Sequence, residues 1–478
     1  QNDKSKSEDF HSFVFGRSQM KVIIANPPWK VAGRFGVRAT SRWPHLRNDK
    51  IIVFPLYHAY AAAVLEKNNI KVKAIDAVDQ ELTINEFVKK VKEFSPDFVF
   101  LETSYPSYDV DKKTICELKK QTSAKIGIFG PDATARGEFL MKDCHEIDFA
   151  VIGEFDYTIT EISLGKPPKK IKGICYRDKN KIKKTEKREL IENLDELPLP
   201  ARHLYPIDSY QEPINYRPQF LISTSRGCPF GCSFCVYPQT ISGICFRKRS
   251  VKNVVDEIEF LIKEYGAKVI NIEDDTFTID SKRVKEICDE ILRRKIKILW
   301  QCYSSVNIQD FEMYKKMKEA GCEMVRFGVE SASFAAQKHS NKNLSIEKIE
   351  KGFALARKAG LKTFGTFTFG LPGETKESIK ETMELAIKLN PYAVQFSYIV
   401  AYPGTILYEE AKKNNKILEI NSQPDRLDLP DMLVKEALAK GVKFIINTDS
   451  HGIEQFDLMR YGVDVARRGW ATSSSVVN

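Results

Sequence analysis

No apolar run in these 478 residues approaches the roughly eighteen that a membrane-spanning helix requires, which excludes an integral membrane protein. No apolar secretory signal opens the chain either. Cysteine is sparse, ten in all, too few for a disulfide scaffold in so long a chain, so a reducing cytoplasm is expected. Compositional extremes are also missing. Hydrophobic residues make up 42% and charged residues 29%, which excludes wholesale disorder. An excess of one charge sign is nearly absent outside a single segment. The balance is 74 Lys+Arg against 64 Asp+Glu, a net +10, and residues 166–188 alone hold eleven basic and two acidic residues. That segment has one aromatic, Tyr176, and so lacks the stacking platform of a single-strand binding surface. It reads as a solvated hairpin in a linker and gives nucleic acid no support as a partner, although the composition does not exclude one.

What the chain does have is alternation. Residues 1–19 are polar and aperiodic, and folded structure is expected to begin at Met20. Short runs rich in Val, Ile and Phe at 21–26, 71–76, 97–102, 125–130 and 147–152 predict buried strands, with helices near 58–68, 83–94, 109–121 and 134–144 between them. This pattern predicts an α/β, doubly wound parallel sheet over 20–164, whose ligands bind outside the carboxyl ends of the strands. Those ends carry Asn26-Pro-Pro-Trp29, Glu102-Thr-Ser-Tyr105 and Gly130-Pro-Asp-Ala133. Residues 165–219 read as a linker containing the basic hairpin.

A second series over 220–416 predicts strands at 220–225, 268–273, 297–303, 323–329, 362–369 and 393–399, each followed by a helix. Six βα units fall short of the eight that close a TIM barrel, so a partial (β/α)6 barrel of TIM type is expected. Residues 417–478 change texture and do not continue the series.

The strongest chemical signal is Arg226-Gly-Cys-Pro-Phe-Gly-Cys-Ser-Phe-Cys235, directly after the first strand of the second series. Cys228, Cys232 and Cys235 form a CxxxCxxC array, and Gly227, Pro229 and Gly231 permit a tight loop that turns three thiolates toward one point. Thiolates so spaced suit a soft metal or an iron–sulfur cluster. A structural zinc site needs a fourth ligand, and Cys245 is ten residues on.

The array, with Phe234 as its aromatic position, resembles the radical S-adenosylmethionine (SAM) superfamily. Asn271-Ile-Glu-Asp-Asp-Thr-Phe-Thr278, Gly328-Val-Glu-Ser331, Gly370-Leu-Pro-Gly-Glu-Thr375 and Tyr402-Pro-Gly-Thr405 follow in order at strand ends. The resemblance implies that the three cysteines hold a 4Fe-4S cluster and that SAM is cleaved reductively to a 5′-deoxyadenosyl radical. It also implies SAM contacts from Phe234, Glu273, Asp274, Glu330, Gly370 and Pro372. Electrons would come from a donor of flavodoxin or ferredoxin type, and the substrate would be a small molecule.

With the first domain added, residues 20–416 resemble the cobalamin-dependent radical SAM enzymes. This implies cobalamin contacts from Asn26, Pro27, Trp29, Thr103, Ser104, Gly127, Gly130, Gly153 and Glu154. Many such domains carry Asp-x-His-x-x-Gly after the first strand, and that motif is absent here. Asp143-Cys-His145 is not a substitute, because it precedes the fifth strand and lacks the glycine. His45 and His58 lie near the first loop, where packing or surface roles are expected. The implied activity is cobalamin-dependent methyl transfer to an unactivated carbon. The alternatives are a non-methylating radical SAM rearrangement or oxidation, and a non-catalytic iron–sulfur module.

Residues 417–478 resemble the end of the polymerase-and-histidinol-phosphatase domain of bacterial family X DNA polymerases. Asp449 and His451 match two of that family's metal ligands. The earlier ligands have no counterpart here, so an inactive fragment is expected.

Overall fold

The computed structural model describes residues 19–38, 44–210, 217–413, 418–421, 429–439, 444–447, 457 and 459–476. In chain order the first part comprises β1 (Lys21–Asn26), β2 (Lys30–Val31), β3 (Arg34–Val37), β4 (His45–Arg47), α1 (Leu56–Lys67), β5 (Lys71–Asp76) and α2 (Ile84–Phe94). Then come β6 (Phe98–Glu102), α3 (Tyr108–Gln121), β7 (Lys125–Phe129), α4 (Pro131–Asp143), β8 (Phe149–Val151), α5 (Asp156–Ser163), β9 (Ile174–Asp178) and β10 (Lys181–Lys184). One sheet runs β10-β9-β8-β7-β6-β1-β5. Its β5, β1, β6, β7 and β8 are parallel. Strand order reverses between β1 and β6, which makes the crevice outside their carboxyl ends the expected ligand position.

The basic hairpin departs from the linker reading of 165–219. Strand β9 pairs antiparallel with β8, placing Ile174 opposite Val151, and β10 pairs with β9. Ile174 and Cys175 are buried at the sheet, whereas Lys181, Lys183 and Lys184 face solvent. Backbone pairing requires no apolar side chain on the outer strand, so a lysine-rich strand can close the edge and guard it against further pairing.

The second part comprises β11 (Gln219–Ile222), β12 (Ser225–Arg226), β13 (Arg247–Lys248), α6 (Val251–Tyr265), β14 (Val269–Ile272), α7 (Ser281–Arg293), β15 (Leu299–Ser304) and α8 (Phe311–Glu319). It continues with β16 (Cys322–Glu330), α9 (Phe334–His339), α10 (Ile346–Lys358), β17 (Lys362–Phe369), α11 (Lys376–Leu389), β18 (Ala393–Tyr398) and α12 (Ile406–Lys413). The sheet β11-β14-β15-β16-β17-β18 is parallel throughout, with β11 and β18 at its two ends, as in an open barrel. Helix α6 shows how its ends are set. The Ser250 side chain accepts from Asn253 N at the start, and Gly266 terminates the helix in the left-handed region.

Helix α1 is buried from Leu56 to Leu65 because both sides of it are covered. Tyr57 packs in one core with Val22 and Ile24 of β1 and with Val236, Tyr237, Ile241 and Tyr402 of the second part. Tyr402 Oη also donates to Pro44 O at 3.0 Å. The two parts therefore share an apolar core beside the crevice.

The tail contributes β19 (Leu418–Asn421), α13 (Asp431–Leu438), β20 (Phe444–Asn447) and α14 (Met459–Arg468), with its own small core around Val434, Phe444 and Val465. Buried Glu436 accepts from Arg136 Nη1 of α4 at 2.7 Å. Asp449 and His451 lie outside the described residues.

Candidate active site

The cysteine loop leaves β12 through Gly227, whose φ of 89° belongs to the left-handed region. A Cβ there would lie 2.4 Å from Cys245 O, so only glycine fits. Cys228, Cys232 and Cys235 are all half-buried thiols. Burial pushes the Cys228 and Cys232 thiols up, and the charge of Lys342 works against that shift in both. Cys228 Sγ lies 3.7 Å from Thr276 Oγ1.

Two side chains that the sequence reading missed hold this loop. Gln239 donates through Nε2 to the carbonyls of Cys232 (3.1 Å), Ser233 (3.2 Å) and Cys235 (2.9 Å), and its Oε1 accepts from Ile406 N at 2.8 Å. It ties the loop to the start of α12. Asn341 Nδ2 donates to Gly231 O at 3.1 Å. Next to Asn341, Lys342 Nζ lies 2.5 Å from Glu330 Oε1. Burial lowers the Lys342 pKa, but Glu330 and Cys232 outweigh it and the net direction is up. A cation thus stands permanently beside the thiols. No spacing rule links Lys342 to a cysteine 110 residues earlier, so the sequence carried no signal for it.

Glu330 owes its direction to a register shift in the β16–β17 pairing between Gly328 and Glu330, with its own φ at 69°. Such a backbone costs a non-glycine residue about 1–3 kcal/mol. The carboxylate is held by Lys342 and by Thr368 Oγ1 at 2.8 Å. Phe234 is buried with Ala336, Leu371 and Leu407. Gly370, at φ 84°, and Leu371 donate their N–H groups to Glu374 Oε2 at 2.7 and 3.0 Å, which closes the turn that includes Pro372, and Leu371 packs this turn against Phe234, Cys232 and Cys235 of the cysteine loop. Of the SAM-contact expectations, Phe234, Glu330, Gly370 and Pro372 therefore gather around the loop. Glu273 is buried at the end of β14, its N–H on Ile222 O at 2.8 Å.

Asp274 does not fit its expected role. Its two oxygens accept from Thr224 N (2.6 Å), Thr224 Oγ1 (2.5 Å), Ser225 N (3.1 Å) and Ser225 Oγ (2.6 Å). Four protein donors fill the carboxylate, which anchors the turn before the cysteine loop rather than facing a ligand.

Glu154 departs from expectation in the same way. Buried after β8, it accepts from Arg226 Nη1 (3.2 Å), Arg247 Nη1 and Nη2 (both 3.0 Å) and Ile191 N (2.7 Å). Asp156 accepts from Arg226 Nη1 at 2.8 Å and from Nη2 at 3.1 Å. These carboxylates clamp the first part to the residue that precedes the cysteine loop. Gly127 is also a packing residue: a Cβ would lie 2.5 Å from the Phe100 ring. Trp29 is buried under Gly36 and the Arg38 guanidinium, with Pro27 O accepting from Arg38 at 3.3 Å.

Five expected positions remain at the crevice rim. Asn26 donates to Asp76 Oδ1 at 2.9 Å, and its own buried Oδ1 has no partner. Thr103 and Ser104 close a buried turn with Ser107 and Asp111. Gly130, at φ 104°, lets the chain turn from β7 into α4 close against Glu102. Gly153, at φ 78°, presents open space where a Cβ would stand. The orphaned amide oxygen and the bare glycine surface, at the carboxyl ends of β1 and β8, fit a polar ligand laid across the sheet edge. His58 is not free to serve such a ligand, since its Nε2 lies 2.6 Å from Glu102 Oε2 in a buried pair. His45 is exposed on β4, and His145 is exposed beyond α4.

Asp76 supplies a test of the crevice electrostatics. Burial first, then the charge of Asp79, pushes its carboxyl from 3.8 up to about 6, although Asn26 and His58 oppose the shift. The stabilisation is complete below the unfolded pKa near 4 and is lost as pH rises through about 6. It amounts to on the order of 3 kcal/mol. Asp76→Asn should therefore flatten the fall in thermal midpoint between pH 4 and 7 and exceed the wild-type midpoint at pH 7. An unchanged slope would remove Asp76 as its source.

Comparison with known proteins bears on this geometry. Residues 222–386 match the Radical SAM superfamily and residues 47–163 the B12 binding domain. An uncharacterized methyltransferase of Pyrococcus horikoshii is 34% identical over 412 residues, covering 84% of this chain and 85% of that protein. The anaerobic magnesium-protoporphyrin IX monomethyl ester cyclase of Cereibacter sphaeroides is 25% identical over 84% of this chain and 65% of its own length. Among solved structures, the radical SAM methyltransferase TsrM from Kitasatospora setae, with cobalamin and a [4Fe-4S] cluster bound, superposes with a TM-score of 0.66 at 18% identity, covering 83% of this chain and 75% of TsrM. A stretch of 72 residues, 15% of this chain, is 46% identical to 13% of the DNA polymerase/3′-5′ exonuclease PolX of Bacillus subtilis.

Proposed function

The chain belongs to the cobalamin-dependent radical SAM family, and we propose on that premise that it is a methyltransferase acting at an unactivated carbon of a small molecule. The observation that carries the proposal is the joining of two sites. The rim of Asn26, Thr103, Ser104, Gly130 and Gly153 and the three-cysteine loop are linked through the Glu154–Asp156–Arg226 clamp. When bound, a 4Fe-4S cluster with SAM supplies a carbon-centred radical, and methylcobalamin supplies the methyl group.

The chain's own residues bind and orient. Cys228, Cys232 and Cys235 would ligate three irons, and Lys342 would offset thiolate charge beside them. Glu330, held by Lys342 and Thr368, and the Gly370–Pro372 turn would position SAM, with Phe234 keeping water from the loop. In this reading 20–164, together with the β9–β10 hairpin, is the corrin-binding unit and 220–416 the radical unit. The 417–478 segment is then a non-functional addition. A reductant of flavodoxin or ferredoxin type completes the system. All ten thiols are free, which agrees with a reducing cytoplasm. No described helix is long and apolar enough to cross a membrane.

Similarity to the cyclase supports a second reading, in which a radical is formed but no methyl group moves. Anoxically reconstituted protein supplied with cobalamin decides between them. Cluster and corrin absorbance, 5′-deoxyadenosine release and transfer of a deuterated methyl from SAM to a product in cell extract are expected. Deoxyadenosine release without any labelled product would favour the second reading.

A further inference from the structure

We propose that Cys116, Cys144 and Glu146 form a binding site for a zinc-class divalent cation on the outer face of the first domain. This site is separate from the cysteine loop and independent of the methyl-transfer reading. Cys116 lies on α3, Cys144 caps the end of α4, and Glu146 sits in the turn before β8. One ligand atom from each of the three lies within 4.8 Å of the other two. Cys144 Sγ is 3.3 Å from Glu146 Oε2. Tetrahedral zinc with ordinary Zn–S and Zn–O bonds sets sulfur and oxygen about 3.6 Å apart, so these two atoms already stand near bonding separation.

The donor set is soft and anionic, which suits zinc and its neighbours rather than magnesium or calcium. Two thiolates and a carboxylate around a dication leave one net negative charge. Lys112, paired with Asp143 at 2.8 Å and acting on both thiols, lies close enough to offset it. Access is open, because Cys116 lines a groove that also includes Thr83, Asp109 and Trp470. Solvent can therefore complete the fourth position. Binding releases the two thiol protons and changes no oxidation state.

Position identifies the role. Helix α4 begins at the carboxyl end of β7, so its far end lies at the opposite edge of the sheet from the crevice. An ion there would staple α3 to the α4–β8 turn, away from any reacting group.

Full-length protein carrying its reconstituted cluster tests the site by titration with Zn²⁺ alone against a chromogenic chelator. Wild type should retain one equivalent more than Cys116→Ser or Cys144→Ser. Substitution with Co²⁺ should give a thiolate charge-transfer band that Cys116→Ser lacks. Glu146→Gln keeps both thiols and should weaken zinc binding at least about tenfold. Cys144 is buried, so should Cys144→Ser fail to fold, the half-exposed Cys116 and Glu146 still carry the test. Equal zinc retention by wild type and the folded Cys116→Ser variant overturns the proposal.

Discussion

Cys232→Ala should leave the protein without its iron–sulfur chromophore and reduce 5′-deoxyadenosine release to background, a loss of at least about a thousandfold if radical formation depends wholly on the cluster. The expectation follows from ligand count. Cys228, Cys232 and Cys235 are three thiols from one loop, and Gln239 and Asn341 fix the loop that presents them through its backbone carbonyls. Two remaining thiolates cannot hold the cluster in one orientation. Cys245→Ser is the informative control. Cys245, ten residues beyond the array, has its Sγ 3.9 Å from Ser242 O. Iron and sulfide content and deoxyadenosine release should survive that substitution. Loss of iron in Cys245→Ser comparable to that in Cys232→Ala would convert the site to a four-thiolate centre and undo the three-thiolate reading. Retention of full cluster absorbance by Cys232→Ala would undo it more directly.

The sequence made the scaffold legible because burial writes itself into composition. Strand β6, Phe98–Glu102, is buried on both faces, and its first four residues are therefore continuously apolar. The helix Val251–Tyr265 announces its stripe through Val254, Val255, Ile258 and Leu261, all buried. Strands that pair mainly through backbone left no such trace, which explains the unread β2–β4 sheet and the membership of the lysine-bearing hairpin in the first sheet. The CxxxCxxC loop was legible because its chemistry is local. Carboxylates were not. Asp274 and Glu154 stand in the right loops, but their partners are 50 and 93 residues away at Thr224 and Arg247. A sequence shows an acid without showing which donors have already filled it. Lys342 and Gln239 were invisible for the converse reason, since an ordinary polar side chain acquires meaning only from what the fold sets beside it.

Glu154 separates two accounts of the crevice, and Glu154→Ala should destabilise the chain by about 3–5 kcal/mol, because it strands buried positive charge. Arg226 would keep Asp156, but Arg247 would lose the carboxylate that meets both its terminal nitrogens, and Ile191 N would lose its acceptor. Arg226 cannot relieve the cost by losing its proton. Burial lowers its pKa, but Asp156 first and Glu154 second more than offset this in the intact chain, and Asp156 remains in the variant. The guanidinium also packs over the rings of Tyr57 and Tyr60 on α1, so movement would disturb the shared core. A lower thermal midpoint should therefore come with a lower iron content after reconstitution, since Arg226 lies two residues before Cys228. Glu154→Gln retains an acceptor for Ile191 N and should lose less. A double-mutant cycle pairing Glu154→Ala with Arg247→Met should show coupling of 1 kcal/mol or more if the clamp exists. A carboxylate facing the corrin instead predicts weaker cobalamin binding with an unchanged midpoint and no coupling to Arg247. The thermal midpoint and the cobalamin titration of one variant thus distinguish an interdomain strut from a cofactor contact.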